Sequence, residues 1–291
     1  MELRTLKYFV EIAEQESLTK AALKLHITQP TLSRQIAMLE EETGKKLYIR
    51  TNYNIRLTED GILLKKRAQE IIELESKTLA ELADSDNANI KGVVYIGAGE
   101  TAGVKYLANI MKSLRESHPG IKYRMISGDA EDISDKLDKG LIDFGLFVGK
   151  MNLNKYDYIA LPDSDRWGVI VRLTDKLAVK NFITPEDLRD RELLFSHQAK
   201  SHGEFSDWLG YPIESLNIIG THNLAFNASI MVREGLGMLV TIEGIISTLT
   251  ENKLKFIPLK PEIKAGLVLA WRKDSFFTKA ARKFLEYFSR Q

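Results

Sequence analysis

Between Thr28 and Gln35 the chain gathers short or forked hydrogen-bonding side chains: Gln29, Thr31, Ser33, Arg34 and Gln35. Donors and acceptors of this kind suit base edges and phosphate oxygens in a DNA major groove, so the first chemistry they suggest is recognition. Catalytic candidates are sparser. Gly97, Gly99 and Gly103 follow a strand-like run and open a helix, as a dinucleotide-binding loop does. The spacing fails, because Gly103 comes four residues after Gly99 where that fingerprint needs three, and bulky Glu100 occupies the close-approach turn. There is no nucleophile elbow, Walker motif or His-rich metal spacing. The chain reads as a non-enzyme with no bound cofactor.

The recognition residues need helices to hold them. Leu18, Ala21, Ala22 and Leu25 fill one helical face, and after a break Leu32, Ile36 and Leu39 fill another. Thr28 is a candidate N-cap with Pro30 in the first turn. This is a helix-turn-helix pattern, although a plain helical hairpin with a solvated face has the same periodicity. The flanks separate the two. Leu3, Leu6, Phe9, Val10, Ile12 and Ala13 predict a third helix, and Gly44 ends the second helix of the pair. Lys46 to Arg50 and Ile55 to Thr58 predict two short strands around Thr51-Asn52-Tyr53-Asn54, a wing.

The run from Phe9 through Ala21-Ala22, Gln29-Pro30, Leu32-Ser33, Gln35-Ile36, Leu39-Glu40, Gly44, Leu47, Arg50 and Leu57-Thr58 to Gly61 resembles the LysR-type transcriptional regulators. On that reading Thr28, Gln29, Pro30, Thr31, Ser33, Arg34 and Gln35 face the groove, with Arg50, Tyr53 and Arg56 along the DNA backbone. The wing tip lacks the arginines often found there in the family.

Composition is compatible without pointing to DNA. The 291 residues are 44% hydrophobic with a net charge of +1, enough for more than one core and no global basicity. Up to Leu57, nine Lys or Arg against seven Glu leave +2, with Arg34, Lys45, Lys46, Arg50 and Arg56 around the reading helix and wing. Cysteine is absent, no apolar run approaches a membrane span, and no signal peptide is evident at the amino terminus. A cytoplasmic location is expected.

Residues 58 to about 86 predict one long helix, with Ala68, Ile72, Glu75, Leu79 and Leu82 at coiled-coil spacing and Asp84 to Asn89 as a hinge. The resemblance implies antiparallel pairing of this helix with a second copy. From Gly92, strand-like runs alternate with amphipathic stretches, for which a parallel sheet is the natural outcome. Thr184-Pro185-Glu186-Asp187-Leu188 predicts a capped helix start. The order resembles the family's two-lobed α/β effector domain, built like a periplasmic solute-binding protein.

The expected organisation is therefore a winged helix-turn-helix at 1–58, a linker helix and hinge at 59–90, and an effector domain at 91–291. Its first lobe comprises 91–161 and 267–291, and its second 162–266. Ligands of open α/β sheets sit at carboxyl ends of strands, which nominates Gly99, Glu100, Thr101, Ser127, Phe147, Ser196, His197 and Asn223. Thr101 and Ser127 lead because the resemblance places effector contacts in those loops; His222 is a further candidate. The partners implied are a double-stranded DNA operator, a small-molecule effector, RNA polymerase and further copies of the chain as a homodimer or homotetramer. A solute sensor whose amino-terminal module serves only assembly is the rival reading, and salt-dependent, sequence-specific DNA binding separates the two.

Overall fold

The computed structural model describes residues 1–51, 54–82, 90–149, 151–197, 204–245 and 253–289. They fall into two compact units, Met1–Ala83 and Asp84–Gln291. The hinge expected at 84–89 lies outside the described residues, as does Tyr53.

The first unit runs α1 (Leu3–Gln15), α2 (Leu18–Lys24), α3 (Gln29–Thr43), β1 (Tyr48–Arg50), β2 (Ile55–Leu57) and α4 (Glu59–Leu82). Phe9 and Ile12 of α1, Ala21 and Ala22 of α2, and Leu32 and Ile36 of α3 share one core. The small alanines leave room for the helices to cross. Ser17 caps α2 by accepting the Lys20 N–H, and Thr28 caps α3 by accepting the Thr31 N–H. Between them His26 takes a left-handed conformation at φ 55°, and Gly44 ends α3 at φ 65°.

The two wing strands are antiparallel, with Tyr48 opposite Leu57 and Arg50 opposite Ile55. Thr58 Oγ1 donates to the Lys46 carbonyl at 2.6 Å and accepts the Gly61 N–H at 3.0 Å, which fastens the start of α4 to the wing. The seam read along α4 needs correction. Ala68 is fully buried within this unit, and Glu75 pairs with Lys7 of α1 at 2.7 Å, so that part of the line faces α1. The exposed apolar residues of α4 include Leu63, Ile71, Leu74 and Leu82.

The second unit contains β3 (Gly92–Ala98), α5 (Val104–Ser117), β4 (Ile121–Ser127), α6 (Ala130–Asp138), β5 (Phe144–Val148), β6 (Tyr156–Arg172), β7 (Leu193–Ser196), α7 (Glu204–Leu209), β8 (Ile218–His222), α8 (Ala225–Arg233), β9 (Met238–Ile242), β10 (Leu254–Pro258), β11 (Lys264–Arg272) and α9 (Lys279–Phe288). The strands follow the order β4-β3-β5-β11-β6-β9-β7-β8, with β10 also on β6. β3 is parallel to β4 and β5, and β7 is parallel to β8 and β9, whereas β6 and β11 pair antiparallel with their neighbours. The sheet is mixed rather than parallel because β6 and β11 carry the chain across and back in opposite senses.

β6 pairs with β11 from Tyr156 to Arg166 and with β9 and β10 from Trp167 onward, so one strand belongs to two lobes. Val94, Ile96, Phe144, Leu269 and Phe284 pack in one lobe; Val169, Phe195, Phe205, Val240 and Ile257 pack in the other. The helix start expected at Thr184 is a single 3-10 turn, Pro185–Leu188, tied off by the Asp187 carboxylate accepting the Thr184 N–H at 3.0 Å. Arg189 is already extended, so the turn does not propagate.

Candidate functional site

The amino-terminal half of α3 offers a polar face. Leu32, Ile36 and Leu39 turn inward, which leaves Pro30, Thr31, Arg34, Ala37 and Met38 exposed on the opposite side. Gln29 and Ser33 lie on one shoulder, joined by a 3.3 Å hydrogen bond, and Arg50 of the wing donates to Ser33 Oγ at 3.4 Å. Gln35 sits on the other shoulder, where its Oε1 accepts from Thr5 of α1 at 3.4 Å. Thr28 Oγ1 and Thr31 Oγ1 are 2.8 Å apart at the helix start.

Charge sorts the nearby cations. Lys46 pairs with Glu40 at 2.6 Å, which raises the lysine's pKa, and Lys45 lies 3.7 Å from Asp60. Arg34, Arg50 and Arg56 are exposed and make no ion pair among the described residues. These three guanidiniums are available to phosphates or base edges.

The second unit holds a cavity of about 140 Å³ between its lobes. The first lobe contributes Gly99 and Glu100 after β3, Gly128 and Asp129 after β4, and Phe147 at the end of β5. Trp167 of β6, Ser196 of β7, His222 at the end of β8 with Asn223 after it, and Thr241 and Ile242 of β9 come from the second. Strand ends from the two lobes converge here, as the topology of α/β sheets dictates. Glu100 Oε2 crosses the cleft and accepts the Ala225 N–H, the first of α8. Asp129 caps α6 by accepting the Asp132 N–H at 2.9 Å. Both ring nitrogens of His222 are buried, with backbone groups of Val240 and Leu224 beside them and no hydrogen bond of good geometry. Burial lowers the His222 pKa, against the opposing pull of backbone groups of Val240 and Leu224.

Comparison with known proteins decides the family. The family model described as "LysR substrate binding domain" matches residues 87–291, and that of the "Bacterial regulatory helix-turn-helix protein, lysR family" matches 3–62. The chain belongs to the LysR family. This LysR-family regulator is 29% identical over 290 residues to an uncharacterized HTH-type transcriptional regulator of Bacillus subtilis, YwbI, covering 99% of this chain and 95% of that one. It is 34% identical over 146 residues to the regulator IlvY of Escherichia coli, covering 50% of this chain and 49% of that one. Among solved structures, the LysR-family regulator CbnR shares the fold at a TM-score of 0.76 and 19% identity, covering 100% of this chain and 99% of that one. CbnR bound to its target DNA gives 0.73 at 18% identity, with the same coverage. The family is one of transcriptional regulators with a DNA-binding helix-turn-helix and an effector-binding domain, and it is not enzymatic.

Of the effector residues expected from the regulator's sequence, Gly99, Glu100, Phe147, Ser196 and Asn223 line the cavity. Thr101, Ser127 and His197 do not. Thr101 is buried, donates through Oγ1 to Asp165 of β6 and accepts the Gly103 N–H at 2.9 Å, so it braces the strand shared by the two lobes. Burial raises the Asp165 pKa, and the Thr101 hydrogen bond opposes that shift. Ser127 and His197 are exposed. Sequence reasoning missed Trp167, Thr241 and Ile242; the last two stand at the end of β9, where the same strand-end rule would have found them.

Proposed function

We propose that the exposed face of α3, centred on Arg34, reads an operator in the major groove while Arg50 and Arg56 fix the wing against phosphates. A small molecule held between the lobes modulates that binding. The organisation is then a DNA-binding module at 1–58, a linker at 59–90 and an effector domain at 91–291, acting in the cytoplasm as a homodimer or homotetramer joined in part through α4. No helix of the described residues is long and apolar enough to cross a membrane.

The observation that carries the reading is the exposed Arg34 on a capped helix beside two exposed wing arginines, none of the three in an ion pair among the described residues. Arg34→Ala is expected to cost about 1 to 3 kcal/mol on the operator and to relax preference at one base pair. Arg50→Ala should weaken all sequences alike and lower the salt slope by about one unit. Fluorescence anisotropy on the DNA beside its own gene, across a salt series, checks both. Binding without sequence preference in the unaltered protein would favour the assembly-only role for the amino-terminal module.

A further inference from the structure

We infer that the ligand of the cavity between the lobes is a small organic cation, an amine on an aromatic or similarly compact apolar body. This rests on the reading of that cavity as the effector site. Its described lining contains two carboxylates, Glu100 and Asp129, and no lysine or arginine. Each carboxylate spends one oxygen on a helix amide, of Ala225 and of Asp132 respectively, and its other oxygen has no partner among the described residues. A helix N-terminus carries roughly half a positive charge, so two of them leave roughly one net negative charge at the cavity.

A carboxylate ligand would meet that charge, and Glu100 already holds the Ala225 amide at the start of α8. An ammonium meets two free acceptor oxygens without disturbing either helix cap. His222 fits this. Burial holds its imidazole in the neutral form, so it adds no positive charge to the lining. Phe147 and Trp167 supply aromatic faces, which attract a cation and cover an apolar body. The volume of about 140 Å³ is close to that of an apolar protein cavity that holds benzene, roughly 150 Å³.

Benzylamine, benzyl alcohol and benzoate are nearly isosteric and differ in charge, so calorimetric titration of the full-length protein with each reads the charge preference directly. Benzylamine is expected to bind about tenfold or more tightly than benzoate. Glu100→Gln and Asp129→Asn keep an acceptor for the helix amide and should remove most of that preference while the fold persists. Gly99→Leu should abolish binding by filling the cavity; a Cβ there meets nothing nearer than the Gly128 carbonyl oxygen at 3.8 Å, and circular dichroism of the variant checks that it folds. Benzoate bound in preference, and lost in Gly99→Leu, overturns the cation assignment and leaves the cavity as the effector site. Binding that ignores Gly99→Leu overturns both. If none of the three binds, the cation assignment fails. The cavity reading is then judged by whether Gly99→Leu removes the operator response to small-molecule cell extract.

Discussion

Single residues set conditions that no neighbour can relax. At Gly61 an added Cβ would stand 1.9 Å from the Leu47 carbonyl oxygen, where helix α4 passes over the wing. Neither atom belongs to a flexible side chain, so Gly61→Ala must push the helix and the wing apart. Destabilisation of about 2 kcal/mol or more is expected, read by urea unfolding of the protein. An unchanged midpoint would show that the two elements separate freely. His222 sets a pH condition. Its native pKa lies below the ordinary histidine value of about 6.5, so as pH falls through that value the unfolded chain takes up a proton that the native imidazole refuses. Stability is therefore lost on acidification, and the loss levels off once the native group also titrates. His222→Gln should lose less stability than the unaltered protein between pH 7.5 and 5.5. Equal losses would mean that His222 titrates normally in the fold.

At the scale of elements, much was legible and the exceptions share a cause. The helix-turn-helix is encoded by contacts a few residues apart, so caps at Ser17 and Thr28 and the apolar positions of α2 and α3 suffice to locate it. β6 reads as a strand in the sequence only from Trp167 on, because Pro162, Asp163, Ser164 and Asp165 break the pattern where it crosses between lobes. Thr101 was assigned to the right loop, but its direction is decided by Asp165, 64 residues away. The helix α4 was legible as a helix and its seam only in part: Ala68 is buried and Glu75 answers to Lys7 of α1, while Leu79 and Leu82 are exposed. Its exposed residues Leu63, Ile71, Leu74, Leu79 and Leu82 leave apolar surface uncovered. If a second copy covers that surface, Leu74→Lys acts twice in a symmetric interface. At about 1.5 to 3 kcal/mol per buried leucine, the dimer should weaken by roughly a hundredfold or more, visible in sedimentation velocity without loss of helix content. A dimer that survives at the same concentration would remove α4 from the interface.

The whole molecule combines a DNA-reading unit and a ligand-holding unit, and regulation is the free energy that links them. A ligand alters operator affinity only through a difference in its own affinity for the states the protein adopts on and off DNA. Thermodynamic linkage then demands that operator change ligand affinity by the same factor. Coupling of about 1 to 3 kcal/mol, roughly 5- to 150-fold, is usual for such systems. Within the second unit, Glu100 on one lobe holds α8 of the other, so a ligand cation that draws on the same carboxylate bears on how the lobes meet. The expected result is a pair of equal factors: the ratio of operator Kd values with and without saturating benzylamine, and the ratio of benzylamine Kd values with and without saturating operator. Anisotropy supplies the first and calorimetry the second. Two factors of one would show a bound ligand with no regulatory leverage. Unequal factors would show that assembly state changes between the two measurements, since a closed cycle of binding steps permits no other difference. Repeating both at several protein concentrations identifies that step, because only an association equilibrium shifts with dilution.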